Sequence, residues 1–149
     1  MGDDNIWTDT WDEGEDWSGG GARAKRLPRG DELGATVYEV GPGNFLPFHF
    51  HHGSEEYLVV LSGRPTLRTG DGTRELAEGE AVHFPRGPDG AHGLTNETDE
   101  PARVLIASTL VSPEVAEYPD HRQITAQAQT GSQTGERLWV IHDVEPRDS

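Results

Sequence analysis

Between residues 33 and 110 the chain is cut into short segments by turn residues at close, regular intervals. Ala35–Val40 reads as a strand and stops at Gly41-Pro42-Gly43. The next two segments are 45–51 and 56–61, separated by His52-Gly53-Ser54. Thr66–Thr69 and Thr73–Leu76 flank Gly70-Asp71-Gly72, a hairpin signature. Gly79-Glu80 introduces Ala81–Phe84, which Pro85 ends, and a further strand runs from His92 to Asn96 after the Gly- and Pro-dense stretch 86–90. Arg103–Ala107 is the most apolar segment. Some eight strands at this spacing predict an all-β barrel or sandwich, because no segment carries the 3.6-residue periodicity a packed helix needs.

Composition agrees. Only 32% of residues are hydrophobic, while Gly and Pro number 19 and 10 among 149, which suits short strands and turns better than a bundle. The net charge of -15 argues against a nucleic acid or an anionic membrane surface as partner. With no cysteine, disulfides, thiolate metal sites and a cysteine nucleophile are excluded. No run approaches the roughly 18 apolar residues of a membrane span, and the first residues lack the basic-then-apolar pattern of a secretory signal. The expectation is a cytoplasmic protein.

The segments outside 33–112 differ in character. Residues 2–20 hold seven acidic side chains, no basic one, and Trp7, Trp11 and Trp17. Two readings stay open for this acidic arm, a flexible tail or a segment whose indoles pack on the barrel or on a neighbouring subunit. Residues 22–31 carry Arg23, Lys25, Arg26 and Arg29 and read as a basic linker, so 1–32 is expected to be an arm and 33–112 the barrel. In the extension 113–149, Pro113–Tyr118 is compatible with one helical turn. The stretch 121–136 reads as a mobile loop, and Leu138–Ile141 as a final strand that returns to the sheet or meets a partner.

Within the barrel segment, chemistry concentrates in Gly43–Gly63, GNFLPFHFHHGSEEYLVVLSG. Residues two apart on a strand share a face, so His49 and His51 point the same way. The His52–Ser54 turn is expected to fold the next strand back beside the first, bringing Glu56 to the imidazoles. Two histidines and a carboxylate on one face are most of a metal site.

The spacing resembles the cupin superfamily. Its first motif is matched by Gly43, five residues, His49-Phe50-His51, four residues, Glu56, six residues and Gly63. Glu55 fits a shorter spacing to the histidines but leaves seven residues before Gly63, so Glu56 is the better match. The second motif is matched by Gly79, Pro85, Gly87, His92 and Asn96, with four residues instead of two between Gly87 and His92. The resemblance implies an antiparallel double-sheet jelly-roll barrel. It also implies that His49, His51, Glu56 and His92 bind one divalent metal per chain, and that the chain forms a homodimer.

Three imidazoles and a carboxylate suit Fe(II), Mn(II), Ni(II), Zn(II) or Cu(II). Glu55 and His83 are the candidate catalytic acid–base groups, and Arg86 and Tyr57 the candidate substrate contacts. Asn96 reads as structural. The expected activity is that of a metal-dependent enzyme, an isomerase or a dioxygenase, acting on a small oxygen-rich molecule such as a sugar, organic acid, diketone or phenol. The competing expectation is a non-catalytic module that binds such a molecule, or a structural role.

Overall fold

In a computed structural model, residues 3–14, 21–129 and 137–145 are described. They form twelve strands: β1 Ala22–Arg26, β2 Leu33–Val40, β3 Phe45–His51, β4 Glu56–Ser62, β5 Thr66–Thr69, β6 Gly72–Glu75, β7 Ala81–Phe84, β8 His92–Thr95, β9 Ala102–Thr109, β10 Glu114–Tyr118, β11 Gln123–Gln129 and β12 Arg137–Asp143. One sheet has the order β1-β2-β9-β4-β7 and the other β12-β11-β10-β3-β8-β5-β6. Every pairing between these strands is antiparallel. This is the all-β architecture that the strand spacing predicts, in the double-sheet jelly-roll form that the resemblance implies. No helix among the described residues is long and apolar enough to cross a membrane.

Strand alternation sets both core and site. Leu58 and Val60 on β4, Leu67 on β5, Phe84 on β7, Leu94 on β8 and Val104 on β9 face inward with Leu76, and none is more than 4% exposed. Burying each side chain contributes about 1.5–3 kcal/mol. Glu56 precedes Leu58 by two residues and His92 precedes Leu94 by two, so both share the core's face at one end of the barrel. Gly63 is required where β4 ends. Its φ is +82°, and a Cβ there would lie 2.6 Å from the Pro101 carbonyl oxygen.

The hairpin expected at His52–Ser54 does not form. Strand β3 pairs with β8 and β10, whereas β4 pairs with β7 and β9, so the turn carries the chain from one sheet to the other. Glu56 therefore meets His51 across the barrel interior and not on an adjacent strand. The Gly70–Gly72 hairpin does form, joining β5 to β6.

Three segments outside the barrel also differ from the sequence reading. Residues 22–26 are strand β1, paired along β2, and not linker. Residues 114–118 are strand β10 and not a helical turn, because they hydrogen-bond to β3 on one side and β11 on the other. Much of the stretch read as a loop is β11, which pairs with β10 and β12; residues 130–136 lie outside the described residues.

The acidic arm docks over residues 3–14. Lys25 of β1, 2% exposed, donates to the carbonyls of Asn5 and Thr8 and to the Thr8 hydroxyl. Arg103 of β9 bonds the Ile6 carbonyl, Asp9 and the buried Glu39. The guanidinium groups of Arg23 and Arg103 lie over the Trp11 ring at 4.8 and 4.9 Å. Trp7 stays 61% exposed, and Trp17 lies outside the described residues.

Candidate metal centre

At the open end of the barrel, β3 supplies His49 and His51, β4 supplies Glu56 and β8 supplies His92. One ligand-capable atom from each of His49, His51 and Glu56 lies within 4.8 Å of the others. His92 joins through Glu56, its Nε2 3.4 Å from Glu56 Oε1, and its ring centre is 4.9 Å from that of His49. His51 Nε2 is 3.3 Å from the same Glu56 oxygen.

Neighbouring groups fix which nitrogen of each ring faces the cluster. His49 donates Nδ1–H to the Pro47 carbonyl at 2.8 Å and His92 donates Nδ1–H to the Gly90 carbonyl at 2.8 Å, leaving Nε2 of each ring with a lone pair. Phe84 stacks on His92 with ring centres 3.6 Å apart and planes 6° from parallel, and Tyr118 stacks on His49 at 5.4 Å. On His51, Nδ1 sits 3.4 Å from Glu114 Oε1. The lengthened segment before His92 folds into a 3-10 turn, Pro88–Gly90, with Gly90 donating to Gly87 and Ala91 to Pro88. It leaves His92 in the cluster and supplies the carbonyl that orients it.

The electrostatics match a cation site. Burial pushes His49 down to about 4, with His92 and His51 adding repulsion. Burial likewise lowers His92, against the opposing pull of its bond to Gly90 and of Glu56. For His51 burial also acts downward, but the carboxylates of Glu56 and Glu114 outweigh it and raise the ring. Glu56 is held below the usual carboxylate value, because its three histidines outweigh the effect of burial. Glu56 Oε1 and His92 Nε2 are buried and have no hydrogen-bond partner. Leaving such atoms unpaired costs about 1–3 kcal/mol each, a cost a divalent ion bound between them would remove. The donor set, its tautomers and its unpaired atoms all fit a metal.

A cleft of about 430 Å³ opens beside this cluster, with His51 and Glu56 in its wall. Tyr38, Ser54 and Glu114 line it near the ligands, Arg26 and Arg29 lie along its β1 side, and Gln127 and Ala128 of β11 close another side. Glu114 accepts from the Ser54 hydroxyl at 2.9 Å and the Gly53 amide at 3.3 Å. Burial, then the charge of Glu56, raises the Tyr38 phenol and keeps it protonated.

The other expected site residues lie elsewhere. Tyr57 and His83 are cross-strand partners on the face of β4 opposite Glu56. There His83 Nε2 bonds the Glu55 carboxylate and stacks against Tyr57 with ring centres 5.2 Å apart. Arg86 donates to the Gly53 carbonyl at 2.7 Å and reaches Glu55 at 3.9 Å. None of Glu55, Tyr57, His83 or Arg86 lines the cleft: strand alternation turns Tyr57 and His83 to the outer surface, and Glu55 and Arg86 join them there through the His83–Glu55 and Arg86–Glu55 contacts. The residues that do line it beside the ligands, Glu114 and Tyr38, were not singled out from sequence. Glu114 sits in a segment without strand-like patterning, and Tyr38 looks like any other core aromatic. Asn96 is structural: its amide donates to the Val40 and Glu100 carbonyls, and its oxygen accepts from Thr98.

Comparison with known proteins agrees with this architecture. A family model described as a cupin domain matches residues 36–108. The tetracenomycin polyketide synthase protein TcmJ of Streptomyces glaucescens is 30% identical over 100 residues, 64% of each chain, so this chain spans less than two thirds of that protein. Among solved structures, a sugar phosphate isomerase of the cupin superfamily from Silicibacter pomeroyi superposes with a TM-score of 0.70 at 24% identity. It covers 87% of this chain and 82% of its own, so the shared fold reaches well beyond residues 36–108. The polyketide cyclase RemF of Streptomyces resistomycificus gives a TM-score of 0.55 at 29% identity, over 60% of this chain and 65% of its own. With two antiparallel sheets, both motifs in place and the family match, residues 36–108 form a cupin domain.

Proposed function

We propose that this protein is a metal-dependent enzyme that moves protons on a small carbonyl- or hydroxyl-bearing substrate, an isomerisation or cyclisation type of chemistry. His49, His51, Glu56 and His92 would hold one divalent ion per chain, of iron, manganese, nickel, zinc or copper. When bound, such an ion supplies Lewis-acid polarisation of a substrate oxygen.

The observation that carries the reading is that the unpartnered ligand oxygen of Glu56 shares one cleft with an acid and a base. Glu114 is placed to accept a proton at a carboxylate oxygen, with Ser54 and Gly53 fixing its orientation. Tyr38, protonated, is placed to donate a hydrogen bond to developing negative charge. Arg26 and Arg29 on the far side favour a substrate carrying a carboxylate or phosphate. A purely binding module has no need of the acid–base pair. The resemblance to TcmJ and RemF, proteins named for polyketide synthesis and cyclisation, supports a carbonyl-rich substrate.

The test is metal analysis of protein purified without added metal, followed by NMR of solvent-deuterium uptake into diketones, hydroxy-ketones and sugar acids. The expected result is about one ion per chain and exchange that chelation abolishes. Exchange that Glu114→Gln slows about 100-fold or more at unchanged metal content supports the base assignment. A metal-free protein, or exchange indifferent to chelator, overturns the proposal.

A further inference from the structure

Tyr118 is the last residue of β10, and the register Ala116↔His51, continued two residues, sets it directly across from His49 on β3. The two rings stack with centres 5.4 Å apart and planes 18° from parallel. The bond from Nδ1 to the Pro47 carbonyl holds one edge of the His49 ring, and the rings of His51 and His92 lie 4.9 Å away on the ligand side. Tyr118 covers a face of the ring, so its position decides whether His49 can swing out of the cluster.

The segment that carries Tyr118 onward is exposed. From β10 the chain passes through the 3-10 turn Pro119–His121 and then Arg122, a non-glycine residue in the left-handed region with φ 49°, before β11 begins. Within that turn, Asp120 accepts from both terminal nitrogens of the Arg68 guanidinium, at 2.5 and 3.0 Å. Arg68 stands on β5, and in the sheet order β10-β3-β8-β5 two strands separate it from the turn. Its stem can cross because its cross-strand partner on β8, Gly93, has no side chain. The guanidinium then lies over the Phe48 ring of β3 at 4.0 Å. This row runs along the outer face of the sheet whose inner face carries His49 and His92. An exposed ion pair ordinarily contributes little, but a two-pronged fork laid flat on an aromatic ring is already restrained before it meets its carboxylate.

We propose that the Arg68–Asp120 pair is a positioning device for the metal centre. By pinning the Pro119–His121 turn it keeps Tyr118 stacked on His49, and so keeps that imidazole aimed at the other ligands. The proposal rests on the ligand assignment above, although neither Arg68 nor Asp120 lines the cleft.

Zinc(II) titration calorimetry of the full chain tests this, together with nitrogen-15 imidazole NMR of the metal-free protein near neutral pH. Asp120→Ala should weaken zinc binding about 10-fold, the effect expected when a group that orients a ligand is lost, and Asp120→Glu should largely restore it. Tyr118→Leu should weaken binding too, and adding Asp120→Ala to it should change nothing further, because the pair acts through that ring. In metal-free Asp120→Ala the His49 nitrogen signals should move towards a tautomer average while those of His92 stay in place. Unchanged zinc affinity in Asp120→Ala, or losses that multiply in the double variant, overturns the proposal. Wild-type protein that binds no zinc overturns the metal reading alone. The His49 signals then decide here, and signals identical in wild type and Asp120→Ala overturn this proposal as well.

Discussion

His92 donates its Nδ1–H to the carbonyl oxygen of Gly90 at 2.8 Å, and this bond selects Nε2 as the nitrogen that faces the ligand cluster. The bond depends on the tight fold of the Pro88–Gly90 turn. Gly90 is buried, and a Cβ built on it would lie 1.8 Å from the Pro85 carbonyl oxygen, a backbone atom that cannot swing aside. Gly90→Ala should therefore displace the turn and lower zinc(II) affinity about 10–100-fold while the β-sheet spectrum persists. Titration calorimetry reads this directly, and an unchanged affinity would mean that the turn does not orient His92.

The ligand assignment separates inner from outer residues on the same strands. His51→Ala and His92→Ala should each abolish stoichiometric metal, since each leaves the remaining set one imidazole short. Glu55→Ala and His83→Ala, on the outer face, should retain it. Metal analysis of the four purified variants is the check. Full metal in either of the first pair, or loss in either of the second, would refute the assignment.

Metal binding should follow pH through His51 before the other rings. The ion needs all three imidazoles neutral at the coordinating nitrogen. Burial first, and repulsion among the rings after it, already holds His49 at about 4, and burial lowers His92 as well. His51 is raised, because Glu56 and Glu114 outweigh its burial, so it is protonated first as pH falls. The apparent zinc(II) dissociation constant should begin to rise, by about tenfold per pH unit, near the ordinary imidazole value of about 6.5, where His51 is the first ring protonated and one proton competes. Glu114→Gln removes one of the two carboxylates and should move the onset to lower pH. A two-proton slope at that onset, or an unmoved onset in the variant, contradicts the account.

What could be read beforehand was the part governed by short-range rules. Two-residue alternation placed His49 and His51 together, and the distance to Gly63 chose Glu56, whose side chain does face the cluster while Glu55 faces solvent. The turn at His52–Ser54 was visible as a turn, but its direction was not. Whether a chain reverses within a sheet or crosses to the facing one depends on which strands wait there, here β10 and β8 for β3, and β9 and β7 for β4. Strands β10 and β11 were hidden for a related reason. β10, Glu-Val-Ala-Glu-Tyr, has no regular alternation, and the alternation of β11 is carried by Ile124 and two small alanines among Gln and Thr, so hydrogen bonding to neighbouring strands is what makes both visible as strands. Glu114 went unseen with them.

Lys25 gives the most direct test of the docked arm. It is the one lysine of the chain, it is 2% exposed, and its ammonium donates at 2.7 Å to the Asn5 carbonyl, 3.1 Å to the Thr8 carbonyl and 2.7 Å to the Thr8 hydroxyl. All three acceptors belong to the arm, so a single side chain of β1 gathers residues 5–8 onto the barrel. Lys25→Met keeps the stem's packing and removes the three donors, leaving the Asn5 carbonyl with its contacts to Thr8 and the Thr8 carbonyl with Arg103, at a cost of about 1–2 kcal/mol. The urea midpoint should fall accordingly, and limited proteolysis should cut within residues 3–14 well before the barrel is attacked. Lys25→Arg should not restore protection, because a planar guanidinium cannot direct three donors into the pocket that a compact ammonium fills. Proteolysis of the arm at the wild-type rate in Lys25→Met would show that Arg103 and Trp11 hold it without help from Lys25.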